Sequence, residues 1–126
     1  MKKQHRPVFL NPLKIAFPAS AKVSILHRLS GLLLFLAIPV ALALLRRSLS
    51  SAEELARLTD VAGYGAGWKL LLFIGLVGTA YHSSAGIRFL LLDMHVGVTR
   101  NQANRSAGFV LAIGVVALLA VGVLLW

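Results

Sequence analysis

The residue of this 126-residue chain with most bearing on chemistry is His82, set in an otherwise apolar stretch that runs from Leu70 to Leu92. An ionisable side chain is costly in such a stretch if lipid surrounds it, so a functional role is the default explanation. The plain alternative is a neutral imidazole making one hydrogen bond between helices. Gly75, Gly78, His82 and Gly86 fall at i, i+3, i+7 and i+11, which is one face of a helix. Three glycines flanking an imidazole leave a smooth trough beside an axial nitrogen. A flat porphyrin requires both features. Glycine stripes also serve close helix–helix packing of the small-xxx-small kind, and the stripe alone does not separate the two uses.

A second group lies near the start of the first apolar run. Ser24, His27, Arg28 and Gly31 sit at i, i+3, i+4 and i+7, again one face. Arg28 is explained at its simplest as a snorkelling cation that sets orientation. A hydroxyl, an imidazole and a guanidinium on one face are also the donors that haem propionates, a polar headgroup or a quinone carbonyl gaining negative charge would need. Arg88 and Asp93 close the second run, five residues apart, which is not an ideal helical pairing and leaves them as support for a site or for a neighbouring subunit. His5 and His95 lie in polar segments and read as solvated surface histidines.

The elements that position these residues are legible from hydropathy. The chain is 58% apolar and 13% charged, with a mean hydropathy of +0.82. Globular chains carry about 25% charged residues. The apolar residues collect in three runs, Leu29–Leu45, Leu70–Leu92 and Ala107–Trp126. A span needs roughly 20 apolar residues at about 1.5 Å each. No barrel-like alternation is present, so the class is all-α, an integral membrane protein with three transmembrane helices. The helices are expected at about 20–46, 68–92 and 106–126, after an N-terminal arm over 1–18 that Pro7, Pro12 and Pro18 keep from being a long helix. Ser20 is available as an N-cap for the first helix, and Pro39 is expected to bend it. Ser50 or Ser51, three residues ahead of Glu53 or Glu54, predicts a short capped surface helix. Residues 93–105 read as a polar loop. Counted from Trp68, His82 lies about 21 Å along the second helix, past the midplane.

The net charge of +9 is unevenly placed. Residues 1–28 hold Lys2, Lys3, Arg6, Lys14, Lys22 and Arg28 and no acid, whereas the connection after the first run mixes Arg46, Arg47 and Arg57 with Glu53, Glu54 and Asp60. The Lys/Arg bias puts the N-terminus and residues 93–105 on the cytoplasmic side and the C-terminus on the other. The basic side suits anionic headgroups or an acidic soluble partner, and no aromatic-interleaved patch for nucleic acid exists. There is no cysteine, which excludes disulfides, thiolate iron–sulfur ligation and thioether-linked haem from this chain.

Two stretches, Ser24-Ile25-Leu26-His27-Arg28-Leu29-Ser30-Gly31 and His82-Ser83-Ser84-Ala85-Gly86-Ile87-Arg88-Phe89-Leu90-Leu91-Leu92-Asp93, resemble the signatures of the large cytochrome b membrane-anchor subunits of succinate dehydrogenase. Order, spacing and three-span layout agree over nearly the whole chain. The resemblance implies half of a heterodimeric haem-binding helical bundle in a bacterial inner membrane. It makes His82 one axial ligand of haem b, with the second histidine from a smaller anchor subunit. It gives Ser24 and Arg28 to ubiquinone, and places His27 and Arg28 near the haem propionates. FAD and iron–sulfur clusters would belong to a flavoprotein subunit and an iron–sulfur subunit. Phe89 stands where many relatives have a second histidine, and Asn11-Pro12-Leu13 where many have Ser-Pro-His, so no role is carried to those positions. Two other functions stay open: a haem-free structural anchor, and the anchor of a quinol-oxidising fumarate reductase.

Overall fold

The computed structural model describes residues 17–60, 63 and 65–126. The expected arm over 1–18 therefore lies, except for its last two residues, outside the described residues. Among the described residues there are four helices and no strand: α1 Ala19–Ser48, α2 Ala52–Thr59, α3 Ala66–Asp93 and α4 Arg100–Leu125. Three of them, α1, α3 and α4, are long and apolar enough to cross a membrane. The 28 residues of α3 extend about 42 Å, which reaches headgroup level on both sides of a core about 30 Å thick.

The ends of these helices follow from local chemistry, and two differ from expectation. Ser20 does not cap α1. Pro18 holds the N-cap position with extended backbone, and its carbonyl accepts from Ala21 and Lys22, while Ser20 is already in the first turn. The helix then runs unbroken through Pro39. The capping serine of α2 is Ser51, whose hydroxyl accepts from the Glu54 amide at 3.1 Å. The Glu54 carboxylate turns to Arg47 at 2.8 Å, tying α2 to the end of α1.

The larger difference is α4, which begins six residues before the expected Ser106. Thr99-Arg100-Asn101-Gln102 is itself a capping-box pattern. The Thr99 hydroxyl accepts from the Gln102 amide and meets its side chain at 2.7 Å. A polar first turn and a half looks like loop by hydropathy, yet it only lifts the helix end out of the apolar layer. The α3–α4 turn is equally specific. His95 adopts φ 62°, the amide of Val96 donates to Leu91 and that of His95 to Leu92, which is the Schellman ending with histidine where glycine is usual. His95 thus has a backbone task as well as an exposed ring.

The core is thin, as befits a bundle whose outer faces meet lipid or other chains. Val23, Tyr81, Ala85, Ala107 and Val110 are buried together. Small residues bring the helices close. A Cβ on Gly114 would stand 3.0 Å from the Tyr81 ring, whose hydroxyl donates across to the Val23 carbonyl at 3.2 Å. These contacts bind α1, α3 and α4 at one level, and that level carries His82.

Candidate functional site

His82 is held against α1 by a set of contacts that decide which nitrogen it offers. Its Nδ1 is 3.0 Å from Ser30 Oγ and 3.2 Å from the carbonyl oxygen of His27. Ser30 in turn donates its single hydroxyl hydrogen to that same carbonyl at 2.9 Å. A carbonyl only accepts, and a serine whose hydrogen is already engaged also accepts. The proton between these atoms is therefore assigned to Nδ1, shared between the two oxygens. Nε2 is left as the unprotonated nitrogen, with no hydrogen-bond partner among the described residues. This is the arrangement a metal-ligating histidine requires, since the hydrogen bond at one ring nitrogen fixes the tautomer and aims the other.

Backbone proximity completes the seat. A Cβ on Gly31 would stand 2.9 Å from Cε1 of His82, so only glycine lets the ring lie where it does. The His27 ring stacks on that of His82, centroids 4.1 Å apart and planes 6° from parallel. The two rings face each other with their flat sides, so they cannot grip one iron from opposite sides. Spacing within either helix does not put His27 in contact with His82, although the resemblance assigned both to one haem; the α1–α3 packing stacks the two rings directly. The His27 ring lies against Gly86 of α3, where a Cβ would stand at the ordinary contact distance of 3.6 Å from His27 Nε2. Phe89 closes the stack, its ring centroid 5.1 Å from that of His27 and 5.3 Å from the Arg88 guanidinium carbon.

The remaining predicted residues are distributed around this cluster. Gly75 and Gly78 line an apolar cleft of about 500 Å³ between α1 and α3, starting one turn from His82. Thr79 is its one polar lining residue, and its hydroxyl is spent on the Gly75 carbonyl. Ser24 is half-buried and Arg28 exposed on α1, and neither side chain has a hydrogen-bond partner among the described residues. Asp93 is exposed at the end of α3. Arg88 is 5% exposed; its Nε donates to Ser106 at 3.0 Å and its Nη2 to the Ala103 carbonyl at 2.9 Å. It binds α3 to α4 within this chain, where the sequence left open a partner in another subunit.

Residues 2–121 match the family described as succinate dehydrogenase/fumarate reductase transmembrane subunit. The chain belongs to this family. The succinate dehydrogenase cytochrome b556 subunit of Coxiella burnetii (strain RSA 493 / Nine Mile phase I) is 36% identical over 121 residues, which cover 96% of this chain and 97% of that protein. An all-α multi-pass membrane subunit is what that membership and the three apolar helices together establish.

For a member of this family, a haem is the group to test against the residues present. They fit: one imidazole, held through Nδ1, with Nε2 free of hydrogen-bond partners among the described residues, inside a helix long and apolar enough to span. Ser30 is a site residue that sequence reasoning passed over, and Gly31 was named only as part of the α1 face, without its place against the His82 ring. Both lie within the motif that carried the resemblance, and the i, i+3 step from His27 to Ser30 was the available signal. What they do depends on α3 lying against α1, which no spacing on α1 alone discloses.

Proposed function

We propose that this chain is a membrane-anchor subunit of a succinate dehydrogenase complex, that His82 is one axial ligand of a b-type haem, and that Ser24 and Arg28 bind ubiquinone. The observation that carries the haem assignment is the pair of oxygens on His82 Nδ1. A haem bound there would store and relay single electrons. Ser30 and the His27 carbonyl hold the imidazole in orientation. The ring nitrogens of His27 have no hydrogen-bond partner among the described residues, so they are available to the acid groups of the cofactor. A second histidine for that haem would come from a smaller anchor subunit, because His27, stacked flat on His82, could not serve.

At the quinone, a guanidinium and a hydroxyl supply donors to a carbonyl whose charge grows as it is reduced, the step at which such donors matter most. Both side chains are unengaged among the described residues, which supports their availability. The partner complement is an iron–sulfur subunit and a flavoprotein subunit carrying the FAD and clusters, since this chain has no cysteine to bind a cluster. The Lys/Arg bias supports a cytoplasmic N-terminus and a periplasmic C-terminus in a bacterial inner membrane.

The test is the reduced-minus-oxidised spectrum of the complex purified through a tag on this chain. A b-type spectrum is expected from the wild type, lost or altered in His82→Ala while the subunits still co-purify. An intact spectrum in that variant would remove His82 from the iron.

A further inference from the structure

A second cavity, of about 570 Å³, opens between α3 and α4. Ser84, Arg88 and Leu91 in its wall fall 180–240° around α3 from His82, at about 100° per residue. It is therefore not part of the His82 site. Its two ends differ in chemistry. Ile87, Phe109, Val110 and Ile113 form an apolar trough at the deeper end, while Arg88, Gln102, Arg105 and Ser106 gather, with Leu91 and Val96 beside them, at the end near the α3–α4 turn.

The polar end is positive, and no acidic residue is among the described residues of the cavity wall. Arg88 is buried, its two hydrogen-bond acceptors are a neutral hydroxyl and a neutral carbonyl, and its Nη1 is buried with no partner. The ion pairs among the described residues all join Arg47 or Arg57 to Glu53 or Glu54, far along the chain. Arg105 is exposed and has no acidic partner among the described residues. The start of α4 and the end of α3 meet at this turn, so their opposite helix-end partial charges offset one another and the guanidiniums set the sign. A guanidinium buried without an anion is costly, and the cost falls if an anion comes close. Nη1 is sealed from the cavity, so Arg88 acts through its field, and Arg105 is the group that can touch the ligand.

Depth fixes the kind of anion. Arg88 lies five residues before the end of α3 and Arg105 five after the start of α4, about 7–8 Å along each helix, within snorkelling reach of the headgroup layer. A ligand matching both ends carries a phosphate on hydrocarbon. Basic pockets between spanning helices recognise anionic headgroups in this way. We propose that the α3–α4 cavity seats an anionic glycerophospholipid, its phosphate at Arg105 in the field of Arg88 and one acyl chain along Ile87, Phe109 and Ile113.

The experiment uses the assembled complex in nanodiscs of mixed phosphatidylglycerol and phosphatidylcholine, with retained lipid counted by native mass spectrometry on release. Phosphatidylglycerol should be retained in preference to phosphatidylcholine. Arg105→Gln should weaken that retention about fivefold, the effect of one basic residue near an anionic surface, and Arg105→Lys should keep it. A photoreactive phenylalanine analogue at position 109, on an exposed part of the cavity wall, should label phosphatidylglycerol. Equal retention of the two lipids, no change in Arg105→Gln, displacement by millimolar inorganic phosphate, or labelling of a partner subunit from position 109 would each overturn the assignment.

Discussion

Replacing Gly31 by alanine adds one methyl group where the His82 ring already stands. The new Cβ would lie 2.9 Å from Cε1, 3.6 Å from Nδ1 and 3.8 Å from Nε2. Carbon atoms in good contact are about 3.5–4.0 Å apart, so ring or helix must retreat by roughly 0.6–1.1 Å. Retreat on that scale carries the 3.0 and 3.2 Å contacts of Nδ1 beyond hydrogen-bond length. Two bonds at about 0.5–1.5 kcal/mol each are then lost. Alanine's better helix propensity returns about 1 kcal/mol, so global stability should change little or fall by up to about 2 kcal/mol.

The effect on a ligand seated through Nδ1 should be far larger. Loss of the outer hydrogen bonds to a metal-bound histidine typically costs 10–100-fold in metal affinity. The assay is haem per complex, from the difference spectrum, in cells given graded haem supply. Gly108→Ala is the control, since a Cβ there meets nothing within 4 Å. Gly31→Ala should need at least tenfold more haem for half-occupancy, while Gly108→Ala matches the wild type. Wild-type haem affinity and an unaltered spectrum in Gly31→Ala would refute the argument that α1 seats the ligand.

Ser30→Ala removes one of two acceptors and leaves the His27 carbonyl, so haem affinity should fall by less than in Gly31→Ala; nitrogen NMR of His82 in the haem-free complex should show a weakened preference for the Nδ1–H tautomer. Arg28→Ala should cut succinate–quinone turnover at least tenfold, while electron transfer to a soluble dye acceptor survives; equal loss of both would mean misassembly. Arg88→Ala deletes two bonds between α3 and α4, which at about 0.6–1.7 kcal/mol each between membrane helices should lower resistance to denaturing detergent by roughly 1–3 kcal/mol.

Hydropathy alone determined that this chain is an all-α membrane protein with three spans, because backbone in lipid must satisfy its own hydrogen bonds and 20 apolar residues have no other economical use. His82 declared itself by the same physics, as an ionisable group in an apolar run, and local motifs announced a capped α2 while leaving Ser50 and Ser51 both open as its cap; the structure uses Ser51. Where the sequence misled, the cause was local too. The polar start of α4 hid behind its composition, although Thr99 and Gln102 marked it.

Only tertiary structure decided what His82 can do. Ser30, Gly31 and His27 belong to α1 and lie more than fifty residues away, so the tautomer, the stacking and the room for the ring exist only once α1 and α3 touch. Arg88 likewise looked like a helix-end cation, and became a buried tie only because α4 brings Ser106 and the Ala103 carbonyl to it. Hydrogen bonds act over about 3 Å, and spacing within one helix cannot foretell what a neighbouring helix brings into that range.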